Sequence, residues 1–478
     1  MNPLAAQLIA RLEQDEADSD LLHRAGDPDP AQAAEAFLLA ARHPDLAGAC
    51  ERWVPGLLTS ARPGFGARCL VELADLSRDR RGRPLDLVDT PALPAVLGSS
   101  NFLARLLLRR PDWIDELAGE MPSPPDSAPV EPDWREIRRA KYRGLLRVAA
   151  RDLTGRPFAE GLDELSELAD RCLHAGLSCA AHEVGVEAPA LFALGKLGGR
   201  ELNFSSDVDL LFLYHPPPGA DPLEHNEAVA RLVRHLKGQF EAPSEEGFAY
   251  RVDLNLRPEG RSGVLANSVD AALGYYESFG EEWERQMLLR LRFVAGPADA
   301  AAEFDQGLVP FVYRRYIDPS VMQNVRDMKA RIEEERRRTG RDVDSDLKEG
   351  PGGIRDVEFL VQSFQLFYGG RKPELRTGNV LDALEIMGRL ALLPEATVSA
   401  LANTYLWLRR AEHALQLTEE QQTARFPRDR ATQTELARRM GYDEADAADA
   451  HTRLLDDCTW VRSEVRTHFE ALVLSDRA

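Results

Sequence analysis

The sequence predicts a mostly α-helical protein with one small α/β domain inserted between helical regions. Apolar residues recur at helical spacing before residue 185 and again beyond Ser268. Between these stretches lies an island of about 100 residues in which short apolar runs and one period-two segment occur together. Glycine and proline breaks punctuate the helical flanks, as expected of several packed helices rather than one long rod.

In the first region, Ala31–Arg42 and Ala67–Leu76 have helical spacing, and a helix over Asn101–Leu117 follows the cap signal Ser99–Ser100. The segment Met121–Trp134 holds five prolines in fourteen residues, so it cannot continue a helix and is expected to be a linker. Long helices are expected at Trp134–Leu153 and Ala159–Val184. The texture changes at Ala188. Strands are expected at Ala190–Gly195, at Asp207–Tyr214 and over Gly247–Leu256, with a helix at Leu223–Phe240. In the last strand Phe248, Tyr250, Val252 and Leu254 share one face, and Arg251, Asp253 and Asn255 the other. The three strands are expected to pair in one sheet. Farther on, Val321, Val325, Met328 and Ile332 form a core-facing helical stripe. The break EGPGG, Glu349–Gly353, precedes an apolar run, and Val380–Leu390, Val398–Leu417 and Ala447–Leu474 complete a bundle. The expected division is a helical region at 1–120, a linker at 121–134, an α/β domain with leading helices at 135–270, and a helical bundle at 271–478.

Composition narrows the function. With 44% hydrophobic and 29% charged residues the chain reads as soluble and globular. A net charge of −20 argues against binding duplex nucleic acid, which needs a basic surface. A nucleotide is still compatible if a divalent cation lies between carboxylates and phosphates. The five cysteines include no CxxC pair, so neither a zinc site nor a disulfide framework is indicated, and a reducing cytoplasm fits. The first residues lack the basic and apolar regions of a signal peptide, and no apolar run approaches the ~20 residues of a membrane span.

The chemistry-bearing pattern is Leu197-Gly198-Gly199, seven intervening residues, then Asp207-Val208-Asp209 leading into an apolar strand. Two glycines let backbone approach a phosphate. Carboxylates at i and i+2 on a strand point to one face and suit a hard cation such as Mg2+. Asp253, 44 residues after Asp209 and on the polar face of its strand, is placed to be the third carboxylate. Such a set can support in-line phosphoryl displacement. A bare DxD is common: Asp342-Val343-Asp344 has neither glycines before it nor a strand after it and reads as a solvated loop. The conjunction at 197–214 with Asp253 is far rarer and identifies a nucleotidyltransferase site. Lys196 and Arg200 are positioned to hold phosphate or simply to be solvated. Ser206 is a candidate in the phosphate loop or the residue that ends it. Arg257, in a strand-end loop, is a phosphate-contacting candidate. Lys348, Arg355, Asp356 and Glu358 surround the EGPGG break, where an anion site and ordinary first-turn acids are both compatible. Trp283, Tyr405 and Trp407 read as core aromatics.

The run GKLGGRELNFSSDVDLLFLY, Gly195–Tyr214, resembles the signature of the glutamine synthetase adenylyltransferase family. The resemblance extends through SSNFLARLLLRRPDWIDEL, FAYRVDLNLRPEGRSG, WERQMLLRLRFVAG, PFVYRRYIDPSVMQNVRDMKARIEEE and GPGGIRDVEFLVQSFQLFYGG. It implies a polymerase-beta-like nucleotidyltransferase domain between helical bundles. It also implies Asp207, Asp209 and Asp253 as catalytic, Mg2+-binding carboxylates and Gly198 and Gly199 in a phosphate loop. Family members have two homologous halves, and this chain, with one GG…DxD site, resembles the N-terminal, adenylyl-removing half. The implied reaction is phosphorolysis of adenylyl-tyrosine on glutamine synthetase to give ADP, with a PII-type signalling protein as a possible regulator. Forward adenylyl transfer from ATP, uridylylation of a signalling protein and a non-catalytic nucleotide-sensing module are the rival readings.

Overall fold

The computed structural model describes residues 2–88, 90–117, 133–314, 334, 344–442 and 446–474. The chain opens with seven helices: α1 (Pro3–Leu12), α2 (Ser19–Arg24), α3 (Pro30–Arg42), α4 (Cys50–Leu58), α5 (Pro63–Arg81), α6 (Leu93–Ser99) and α7 (Asn101–Arg109). The sequence points to a helix running to Leu117, but α7 stops at Arg109 and Pro111–Leu117 is a separate 3-10 turn. The proline disfavours helical backbone at Arg110, which breaks the run there. Two long helices follow, α8 (Trp134–Asp152) and α9 (Phe158–Val184), which pack on each other. Most of the proline-rich segment expected as a linker, 121–132, lies outside the described residues.

The sheet comes next: β1 (Ala190–Leu194), β2 (Val208–Tyr214), β3 (Val252–Asp253), β4 (Asn267–Ser268) and β5 (Arg292–Ala295). The order is β3-β2-β1-β5, with β4 also on β2. Strand β1 is antiparallel to β2 and β5, whereas β3 and β4 run parallel to β2. The one-turn α10 (Gly195–Gly198) follows β1, and α11 (Pro222–Glu241) connects β2 to β3. The β3 ladder is far shorter than the strand expected over Gly247–Leu256. Its leading end is drawn off by a Ser244–Gly247 turn and by the Ala249 amide, which donates to Phe240 O at 2.9 Å. The alternation itself is kept: Tyr250, Val252 and Leu254 are buried, and Asn255 is exposed.

Both faces of β2 are covered, which explains its unbroken apolar run. Leu210 and Phe212 join a core shared with α8, α9 and α11. Leu211 and Leu213 face a second cluster, formed with α12 (Val269–Ser278), α13 (Glu282–Leu288) and α14 (Ala298–Val312). A third core holds α15 (Ile354–Tyr368), α16 (Val380–Arg389), α17 (Glu395–Leu417), α18 (Arg430–Arg439) and α19 (Ala447–Phe469). The expected stripe Val321–Ile332 and the pair Asp342-Val343 fall outside the described residues; Asp344 lies in a turn. No described helix is long and apolar enough to cross a membrane.

Candidate active site

The parallel register pairs Asp209 with Asp253 across β2 and β3, and Asp207 lies two residues earlier on the same face as Asp209. All three carboxylates line one cavity of about 490 Å3. Burial pushes the Asp209 carboxyl up to about 6, and the charges of Asp253 and Asp207 push the same way, against Lys348 and Lys196. Asp207 Oδ1 accepts from Arg251 Nε at 2.5 Å, and Asp253 Oδ1 accepts from the Asn255 amide at 2.7 Å. Among the described residues, no three His, Cys, Asp or Glu side chains are gathered into a ready metal-binding group.

Three glycines around the site each lie against a close neighbour. Gly195 turns the chain out of β1 at φ +56°, and a Cβ there would meet Asp209 Oδ2 at 2.3 Å. This glycine lets backbone lie against the central carboxylate. Gly198 and Gly199 serve packing: a Cβ on Gly198 would meet Arg290 O at 1.8 Å, and one on Gly199 would meet Gly378 O at 2.7 Å. The Gly199 amide donates to Gly195 O.

The other candidates separate in the same way. Lys196 and Ser206 line the cavity. Lys196 Nζ donates to Glu412 Oε1 at 2.7 Å; burial pushes its pKa down to about 8, against the pull of Glu412. Ser206 Oγ accepts from the Asn203 amide. Arg200 points elsewhere, to Asp163 at 2.5 Å and Asp170 at 3.8 Å. Arg257 is 7% exposed and donates to the carbonyls of Leu254, Arg261, Gly263 and Val264, so it ties together its own loop.

The facing wall comes from α13, α15 and the EGPGG turn. Lys348, Arg355 and Glu358 line it, while Asp356 accepts from the Gly352 amide and caps the turn. Arg355 pairs with Glu349 at 3.1 Å. Lys348 Nζ has no hydrogen-bond or ion-pair partner among the described residues. Sequence reasoning missed Gln286, Gln362 and Phe359 on this wall, and Trp283, expected in the core, is 38% exposed and lines the cavity. Their signal was spacing: Trp283, Gln286 and Met287, and Arg355, Glu358, Phe359 and Gln362, each mark one helix face with polar residues on an inward stripe.

A buried polar network braces the loop between the glycines and Asp207. Arg409, fully buried on α17, donates to Glu201 O, to Asn203 Oδ1 at 2.6 Å and to Tyr405 OH at 2.8 Å. Glu201 also accepts from Tyr405 OH and the Val380 amide, and pairs with Arg290 at 3.0 Å. Arg290 reaches Glu358 at 3.2 Å. Burial alone would raise the Glu358 carboxyl; Arg290 and Arg409 more than offset it and hold it low. Asn203 Nδ2 donates to Glu412 Oε2, and the Ser205 amide donates to Gln416 Oε1.

The sequence that builds this fold and cavity is similar to a class of adenylyltransferases. Residues 91–307 fit the family model described as glutamate-ammonia ligase adenylyltransferase, and residues 326–473 fit one described as GlnD PII-uridylyltransferase. A bifunctional glutamine synthetase adenylyltransferase/adenylyl-removing enzyme from Thioalkalivibrio sulfidiphilus is 38% identical over 388 residues, covering 74% of this chain and 40% of the relative. One of the same name from Nitrosococcus oceani is 38% identical over 359 residues, covering 70% and 36%. The chain belongs to this adenylyltransferase family. The matches span well under half the length of these curated relatives.

Proposed function

We propose that the chain removes AMP from an adenylylated tyrosine of glutamine synthetase by phosphorolysis, releasing ADP. The observation that carries this reading is the cavity with Asp207, Asp209 and Asp253 on one wall and Lys196, Lys348 and Arg355 around them. An oxygen of inorganic phosphate attacks the phosphorus of the AMP group. The new P–O bond forms as the bond to the tyrosyl oxygen breaks, and the electron pair leaves on the phenolate, which then takes a proton. Lys348, whose ammonium has no hydrogen-bond partner among the described residues, and Arg355 offset the charge of the incoming phosphate. The donor set suits a hard divalent cation, Mg2+ in our reading: three oxygen-donor side chains share one wall, and burial together with the charges of Asp253 and Asp207 makes the ionised Asp209 carboxylate costly, a cost that a cation would offset. Held by Asp207, Asp209 and Asp253, such a cation would supply neutralisation of phosphoryl and phenolate charge. The match of residues 326–473 to a PII-uridylyltransferase model supports a PII-type protein as the regulator.

The runs flanking the site, with PFVYRRYIDPSVMQNVRDMK foremost, support removal over addition. The test mixes the chain, magnesium and adenylylated glutamine synthetase. ADP is expected only when phosphate is present. AMP release without phosphate makes the chain a hydrolase. Labelling of unmodified glutamine synthetase from ATP, with no release, makes it the adding half.

A further inference from the structure

The carboxylates and cations occupy only part of the cavity. The rest of its lining includes, on α13 and α15, Trp283, Met287, Phe359 and a pair of amides, Gln286 and Gln362, together with Leu256. We propose that these residues form an adenine-binding subsite, in which Gln286 and Gln362 read the edge of the base. The proposal rests on the nucleotidyl-transfer reading of the carboxylate end.

The two amides are 5% and 8% exposed, and Gln286 Nε2 donates to Gln362 Oε1 at 2.6 Å. That bond leaves Gln286 Oε1 buried with no partner. Gln362 Nε2 likewise has no partner among the described residues. A buried amide acceptor without a donor is costly, so such groups in native proteins call for an explanation. Both residues line the cavity, and between them they leave one acceptor and one donor without a bond. Adenine presents the complement: its 6-amino group donates and an adjacent ring nitrogen accepts. Guanine presents two acceptors on its corresponding major-groove edge and would set one of them against Gln286 Oε1. Exchanging O and N in both amides would still leave one donor and one acceptor, with the roles of the two residues swapped.

The surroundings suit a flat ring. Trp283 and Phe359 offer aromatic surface, and Trp283 Nε1 is anchored on Glu281 Oε2 at 2.9 Å. Trp283, Gln286 and Met287 lie at i, i+3 and i+4 on α13, so stacking and edge-reading groups share one helix face. Because the same cavity holds the carboxylates, a nucleotide seated by its base here places its phosphates toward Asp209 and Lys348.

The test is calorimetric titration of the full chain with ADP, GDP, CDP and UDP in magnesium, with melting curves for each variant. ADP should bind tighter than GDP by on the order of ten- to a hundredfold, the range of a two-bond base contact. Gln286→Leu should remove most of that preference, leaving the diphosphates at a common weaker affinity. Trp283→Ala should weaken all four together. Should Gln286→Leu not fold, Gln362→Met, which removes the donor, is read in the same way. An unchanged ADP preference in a folded Gln286→Leu chain, or no preference in the parent, overturns the subsite. If that variant instead raises KM for the adenylylated protein alone, the slot holds the tyrosine ring and the base assignment is wrong. Adenine preference that depends on Gln286, with no AMP release from adenylylated glutamine synthetase, refutes the reaction and leaves the subsite standing.

Discussion

Two walls face each other across the cavity, and different physics builds them. The carboxylate wall is backbone-made. Once β3 pairs with β2, Asp253 must stand beside Asp209, and Gly195 gives the room. The facing helical wall and the loop before Asp207 are side-chain-made. They depend on desolvated charges, with Arg409, Glu201, Arg290 and Glu358 linked by ion pairs in the interior. A register leaves its side chains free for chemistry. A buried ion network spends them on structure.

The sharpest way to break this comparison is to cut one group from each wall. Arg409→Met removes the centre of the network and leaves Glu201 and Glu412 short of a partner. Loss of one partner from a buried pair costs about 3–5 kcal/mol, which denaturant unfolding will read. Asp209→Asn should do the opposite. Turnover should fall at least 100-fold, on the scale of losing one transition-state group, while stability at pH 7 rises. The sign follows from the carboxyl. Its folded pKa, about 6, lies above the ordinary 3.8, so the folded state is weakened as pH rises through that window. Removing the charge should recover about 1–3 kcal/mol at neutral pH. A lower melting temperature for Asp209→Asn would make the carboxylate wall structural, and the contrast would collapse.

How much was legible in the sequence follows the same division. Period two, the apolar run after Asp207 and the parity of Asp253 are local patterns. They sufficed to bring Asp207 and Asp209 to one wall with Asp253, 44 positions beyond Asp209. Gly198 and Gly199 drew attention by being adjacent, yet the close approach to Asp209 belongs to Gly195, because only the turn out of β1 decides which glycine meets the carboxylate. The helical wall comes from segments far along the chain, and no spacing links Gln286 to Gln362 before α13 and α15 pack. Asp356 and Glu358 read alike in sequence, but one caps a turn and the other faces the cavity.

A smaller effect separates two cations that look equivalent in sequence. Arg257 and Lys348 each sit beside a glycine-containing turn that borders the site. Arg257 spends its guanidinium on loop carbonyls, whereas Lys348 spends its ammonium on nothing within the described residues. Arg257→Ala should therefore cost about 1–3 kcal/mol of stability, since it orphans buried carbonyls, with little change in KM for phosphate. Lys348→Ala should raise that KM roughly tenfold, about the weight of one charge-assisted contact, with an unchanged melting curve. Steady-state kinetics and melting on the two variants decide it, and the reverse pattern would return Arg257 to the phosphate site.

The mildest expected effect concerns Lys196, the residue where the two walls meet: it follows Gly195 in sequence but bonds to Glu412 on α17. Burial lowers its pKa from 10.5 to about 8. Its ammonium is therefore present below pH 8 and lost above it, while the unfolded chain keeps the proton up to the higher value. Two consequences have opposite signs. Stability gains from this group as pH rises from 8 toward 10.5, because the unfolded state then binds more protons. Phosphate affinity falls over the same window, because a positive charge leaves the cavity. KM for phosphate should thus climb above pH 8 by several-fold per unit, at most the tenfold of a single titration. Lys196→Arg, charged throughout, should flatten that limb, and the ratio of parent to variant cancels the titration of phosphate itself. A ratio that does not change between pH 7 and 9.5 would show that Lys196 only braces Glu412, and the helical network would then extend to the very edge of the carboxylates.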